Sequence, residues 1–167
     1  MKILILSFIT LMLVSCSTSK VQKNSELEEF DESKFLGKWY EIGRIDYFFQ
    51  KNIINSIAEY SLNENGTIKV INKGYNIKKD KEVTAEGHAV IKGKGRLKVY
   101  FNPFFGGDYN VLYVDNDYQY ALIGGGKPRY LWILSREKSL NNEIYDKLVQ
   151  IAKEKGYETE KLKKYSE

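Results

Sequence analysis

The chain reads as an all-β protein, an eight-stranded antiparallel up-and-down β-barrel with one C-terminal α-helix packed on it. Three observations predict this. From residue 37 onward, apolar and polar residues alternate with period two in short runs rich in β-branched and aromatic side chains. Turn sequences punctuate those runs closely, so consecutive strands pair antiparallel. One segment, near the C-terminus, changes to three- and four-residue spacing.

The amino terminus comes first. Lys2 precedes an apolar run from Ile3 to Val14, and small residues follow at Ser15 and Ser17 around Cys16. A run of about a dozen residues is too short to cross ~30 Å of hydrocarbon as a helix, which takes roughly 20, so residues 1–15 read as a removable export signal. Leu13-Val14-Ser15-Cys16 resembles the lipobox of bacterial lipoproteins. That resemblance implies cleavage before Cys16, acylation of its thiol and new amino group, and a lipid-anchored place at the cell outer membrane. Ser17, where an inner-membrane retention signal would carry Asp, agrees with onward sorting. One acyl chain binds a membrane only marginally, whereas the three implied here would hold the protein there stably.

Residues 16–30 are polar and aperiodic and are expected to form a flexible tether, with residues 31–167 as one folded domain. Without its first 15 residues the 167-residue chain retains 152, enough for one substantial core. Losing Lys2 leaves 25 basic against 22 acidic residues, and a net charge of +3 is too weak to argue for nucleic acid. Cys16 is the only cysteine, so its acylation would leave neither a disulfide nor a catalytic thiol. His88 is the only histidine, and no acidic or cysteine cluster has metal-ligand spacing; neither metal nor cofactor is expected.

The expected strands span residues 37–45, 57–62, 67–75, 83–91, 96–101, 109–114, 118–124 and 130–136. Asn63-Glu64-Asn65-Gly66, Lys92-Gly93-Lys94-Gly95 and Asp115-Asn116-Asp117 supply tight turns. Leu140, Ile144, Leu148, Ile151 and Ala152 then mark an amphipathic helix, with Asn141 or Asn142 able to cap its start and Gly156 its end. Closing the eight strands removes exposed sheet edges and leaves room inside for one small ligand. Gly124-Gly125-Gly126-Lys127-Pro128 lacks the spacing and the following Ser or Thr of a phosphate loop and reads as a turn.

Three stretches, in order, resemble the lipocalin family: Gly37-Lys38-Trp39-Tyr40-Glu41, then residues 109–115 with Asp117-Tyr118, then residues 130–136 ending in Arg136. The text between them, such as residues 70–76 and Phe104-Phe105-Gly106-Gly107, is similar to the bacterial outer-membrane and apolipoprotein-D-like subgroup. The resemblance implies that Trp39 closes one end of the barrel with Arg136 packed on its face, a cation–π contact of roughly 0.5–2 kcal/mol. Alternation along the strands then points Glu41 and Gly43 inward with Trp39. The same parity, with the motifs, gives a cavity lining of Ala58, Tyr60, Val70, Ala85, Ala89, Val99, Phe101, Tyr109, Val111, Ala121, Trp132 and Leu134, with Ile123 inward as well. An inward Glu41 needs a partner or a local bulge.

Such a wall suits an acyl chain. About 14 methylenes at ~0.8 kcal/mol each give a gross gain of around 11 kcal/mol before association costs. The expected function is non-enzymatic: binding, storing or transporting fatty acids or lysophospholipids in envelope lipid maintenance or stress. The alternatives are a carrier of a pigment or haem, or a lipocalin-type enzyme acting on its bound lipid. The aromatic stretch from Tyr47 to Ile54 falls in the loop between the first two strands, a candidate lid or a contact for membrane or a partner subunit, which leaves a homodimer possible.

Overall fold

The computed structural model describes residues 27–165, and Cys16, the export signal and the tether as far as residue 26 lie outside them. Eight strands form the barrel: β1 (Gly37–Ile45), β2 (Ile53–Leu62), β3 (Ile68–Asn76), β4 (Lys81–Gly93), β5 (Arg96–Tyr100), β6 (Gly106–Val114), β7 (Tyr120–Gly124) and β8 (Leu131–Ser135). Each pairs antiparallel with the next, and β1 closes the circle by pairing with both β2 and β8. The main helix, α2 (Asn142–Glu154), lies on the outside.

The turns of an up-and-down barrel fall alternately at its two ends. At one end, Gly66 and Gly95 take positive φ of 79° and 67° in the tight β2–β3 and β4–β5 turns. The third turn there is held by the Asp115 carboxylate, which accepts backbone N–H groups from Asp117, Gln119 and Tyr120. The longer connections, 46–52, 77–80, 101–105 and 125–130, gather at the other end, which is open.

Several elements differ from the sequence expectation. The second strand begins at Ile53 rather than 57, through a register shift after Ile54 at which Asn55 adopts φ 51°. β4 and β6 also start earlier than expected, at Lys81 and Gly106. A short helix α1 (Glu32–Phe35), capped by Asp31, precedes β1, and β9 (Leu162–Lys164) follows α2. β9 covers the part of β1 that β2 leaves free, pairing with residues 43–45. Three residues with no apolar alternation carry no strand signal of their own; the unpaired edge recruits them. Residues 27–30 of the expected tether pack on the closed end: Leu27 and Phe30 join its core, and the Glu28 carbonyl accepts a hydrogen bond from Lys94.

Three packed clusters surround the cavity, one of them formed by Ile68, Val70, Ala89 and Leu97 of β3, β4 and β5. Under α2, Leu148 and Ala152 meet Ile42, Leu112, Leu122, Leu131 and Ile133 on the outer face of the sheet. Asn141 caps α2 by accepting from the Glu143 N–H, and Gly156 at φ 85° closes it. The third cluster fills the closed end inside the barrel, where Phe35, Trp39, Val111, Ala121, Ile123 and Leu134 pack together.

Candidate functional site: a cavity between a sealed floor and an aromatic mouth

The floor is sealed by Trp39, which has no exposed surface. Its indole N–H donates to the Phe35 carbonyl at 2.8 Å, and the Arg136 guanidinium lies 3.8 Å from the ring centroid. Arg136 also donates to the carbonyls of Lys34, Leu36, Lys38 and Tyr118, so one side chain ties α1, β1 and the β6–β7 turn to the end of β8. Gly37 stands at φ 92°, and a Cβ there would meet Arg136 Nη1 at 3.4 Å. The glycine two residues before the tryptophan lets the chain turn beneath that guanidinium.

Above the floor is a cavity of about 570 Å³ open at the far end. Ligand sites for small molecules span about 300–1,000 Å³. Of the expected lining, Ala58, Tyr60, Val70, Ala85, Val99, Phe101, Tyr109, Trp132 and Leu134 border it, together with Ile123. Ala89, Val111 and Ala121 sit lower, buried in the packed clusters beneath it. Parity fixes which face a side chain takes, but depth along the barrel axis depends on how far the bulky floor residues reach. Tyr60 and Tyr109 share a hydrogen bond of 2.9 Å between their hydroxyls. Burial pushes Tyr60 up to about 12, the Tyr109 bond acting the other way, and burial raises Tyr109 well above the usual phenol range. Both stay neutral and able to donate at any physiological pH.

The sequence reading missed the most polar feature of the wall. Gly43 does not face inward: between Glu41 and Gly43 the pairing with β8 shifts by one residue. This bulge keeps Glu41 inside, turns Ile42 and Gly43 toward α2 and β9, and brings Arg44 inside. Arg44 is fully buried and forms an ion pair with Glu41, a 3.0 Å bond to Asp46, and bonds of 2.9 and 2.7 Å to the carbonyls of Gln50 and Ile53. Its guanidinium also lies 4.0 Å from the Tyr165 ring centroid. Gln50 in turn accepts from the Trp132 indole N–H at 3.1 Å, so the β1–β2 loop is fastened across the cavity to β8. Burial raises the Glu41 carboxyl above the ordinary range even against the Arg44 charge. The other charged liners are paired as well, Lys73 with Glu59 at 3.0 Å and Asp108 with Lys98 at 2.9 Å. The cavity wall therefore carries no free charge among the described residues that border it.

Comparison with known proteins places this geometry. The lipocalin-like domain family matches residues 30–167. The chain is 40% identical over 156 residues to the outer membrane lipoprotein Blc of Citrobacter freundii, covering 90% of this chain and 88% of the relative. It is 41% identical over 143 residues to temperature-induced lipocalin-1 of Arabidopsis thaliana, covering 78% and 76%. Among solved structures, the cockroach allergen Per a 4 superposes with a TM-score of 0.69 over 89% of this chain and 95% of that one, at 21% identity, a likeness of fold.

Proposed function

The chain belongs to the lipocalin family, and from that premise we propose that it is a lipid-anchored protein of the outer membrane that holds a single-chain lipid, a fatty acid or lysophospholipid, in its barrel. The observation that carries this reading is the cavity: about 570 Å³, sealed below by Trp39, walled by aliphatic and aromatic side chains, and open at one end. An acyl chain fits such a wall because its binding needs only apolar area, whereas a charged head can stay at the open end in water. Polar partners along the wall are limited to the Tyr60–Tyr109 pair and side chains such as Ser56, Asn72 and Thr84 among an otherwise mainly apolar lining.

The anchor in this proposal is Cys16, acylated after removal of residues 1–15, and the outer-membrane lipoproteins among its relatives support it. The role is carriage rather than catalysis. The two carboxylates that border the cavity, Glu41 and Asp108, are committed to Arg44 and Lys98.

The test is displacement of a fluorescent fatty-acid probe from a full chain carrying Cys16→Ser, with native mass spectrometry of whatever it retains on purification. One probe per barrel, displaced by palmitate or lysophospholipid, is expected. Ala85→Trp, which places an indole in the cavity, should weaken probe binding at least 10-fold with an unchanged far-UV spectrum. Equal binding by Ala85→Trp and the parent would sink the proposal.

A further inference from the structure

Most of the exposed large apolar side chains are gathered at one end. Among the described residues, six of the eight are Phe48 at 80%, Phe104 at 83%, Phe105 at 78%, Phe49 and Ile77 at 55% each and Phe101 at 45%, and the other two, Leu62 at 63% and Ile91 at 39%, lie toward the closed end. All six belong to the open end: Phe48 and Phe49 to the β1–β2 loop, Ile77 to the β3–β4 turn, and Phe101, Phe104 and Phe105 to the β5–β6 loop. They are held in place. Asn102 accepts the N–H groups of Phe104 and Phe105 at 3.0 and 2.9 Å, and Tyr47 packs against Phe48, Phe49 and Tyr130 with ring centroids 4.7–4.8 Å apart.

The connections at this end carry a net positive charge. The connections 46–52, 77–80, 101–105 and 125–130 carry Lys51, Lys78, Lys79, Lys127 and Arg129 against Asp46 and Asp80. Both carboxylates are engaged internally, Asp46 by Arg44, Lys163 and Tyr165, and Asp80 by Tyr75. The tight turns at the closed end, 63–67, 93–95 and 115–119, carry Glu64, Asp115 and Asp117 against Lys94. Exposed phenylalanines on two loops with a net basic surround fit an anionic bilayer surface, in which the aromatics insert at the headgroup boundary and the cations meet phosphates.

We infer that the open end docks on the anionic phospholipid surface of the membrane that carries the anchor, with the cavity mouth facing the acyl layer. Chain length permits this orientation. Residue 27 sits at the closed end, and from it to Cys16 the chain can span at most about 38 Å at ~3.3–3.6 Å per residue. A nine-residue strand such as β6 is about 30 Å long and, tilted by about 40°, rises roughly 23 Å along the barrel axis. The tether can therefore pass alongside the barrel and reach the plane of the mouth. The inference uses the anchor and cavity of the proposed function but makes a separate claim, that a ligand enters from the bilayer without crossing water.

The experiment places single tryptophan reporters in the full acylated chain. Phe104→Trp reports the mouth and Glu64→Trp the closed end, each read in vesicles of phosphatidylethanolamine and phosphatidylglycerol whose acyl chains are brominated, with the parent signal from Trp39 and Trp132 subtracted. Quenching of the mouth reporter at least threefold stronger than that of the closed-end reporter is expected. It should fall toward the closed-end level when Lys51, Lys78, Lys79 and Lys127 are changed to Gln, or when phosphatidylglycerol is replaced by phosphatidylcholine. Equal quenching of the two reporters overturns the inference. So does a mouth reporter that shifts with protein concentration and ignores vesicles, which would assign the exposed aromatics to a second copy of the chain. Fatty-acid probe binding by the same proteins in lipid-free buffer reads the cavity independently, so a failure of docking and a failure of ligand binding are told apart.

Discussion

Replacing Arg44 by Met tests the reading of the cavity wall most directly. The substitution removes a guanidinium that has no exposed surface and leaves the Glu41 carboxylate and the Gln50 and Ile53 carbonyls without their donor. Breaking one side of a buried ion pair costs about 3–5 kcal/mol, because the remaining charge stays desolvated. With an unfolding entropy of about 2.1 cal/mol/K per residue, the 139 residues from 27 to 165 give about 0.3 kcal/mol/K, so Tm should fall by roughly 10–17 °C. Thermal and urea unfolding followed by circular dichroism measure this. The effect should depend on pH with a definite sign. Burial already raises Glu41, and removing Arg44 raises it further. Between the unfolded and folded pKa values of such a group the folded state binds more protons, so stability is lost as pH rises. Asp46, which Lys163, Tyr165 and Arg44 hold below the ordinary range despite some burial, is ionised at both pH 5 and pH 8, so its share of the loss is the same at the two. The deficit of Arg44→Met should therefore be smaller at pH 5 than at pH 8. Glu41→Leu with Arg44→Met should recover at least about 2 kcal/mol, since an apolar pair leaves no stranded charge. A Tm within 3 °C of the parent, or a double variant no more stable than Arg44→Met, would refute the assignment of Arg44 to the barrel interior.

Three further outcomes follow from the same geometry. Arg136→Met keeps apolar contact with Trp39 but strands the four carbonyls that the guanidinium serves, and should cost about 2–4 kcal/mol in urea unfolding. Tyr60→Phe or Tyr109→Phe alone leaves one buried hydroxyl without its partner and should cost about 1 kcal/mol, whereas the double variant should lie closer to the parent; a double-mutant cycle measures the coupling. Gly37→Ala forces a side chain into positive φ against Arg136 and should cost about 1–2 kcal/mol by thermal unfolding.

Much of the barrel is legible before folding is considered. The period-two runs, the turns at 63–66, 92–95 and 115–117, and the helical spacing of Leu140, Ile144, Leu148 and Ile151 are local signals, and each corresponds to a local element of the structure. The Trp39 and Arg136 motif residues, almost a hundred positions apart, are brought together by barrel closure, because β1 and β8 are neighbours only in a closed sheet. The bulge after Glu41 is different. Continuing the alternation from Trp39 sends Gly43 inward and Arg44 outward, and nothing in the local sequence interrupts it.

What the sequence by itself determined is therefore the eight strands of the barrel, their order, the face that most side chains take and the identity of the family. The strands and faces depend on periodicity and turn chemistry, which act over a few residues, and the family on the motif resemblance at residues 37–41, 109–118 and 130–136. Only the tertiary structure decided where the cavity stops, that Ala89, Val111 and Ala121 lie beneath it, that Arg44 turns in to meet Glu41, and that exposed phenylalanines from two separate connections, with Ile77 from a third, share the open end. Depth, bulges and the gathering of loops are properties of a closed sheet, since each is set by contacts between strands far apart in the chain.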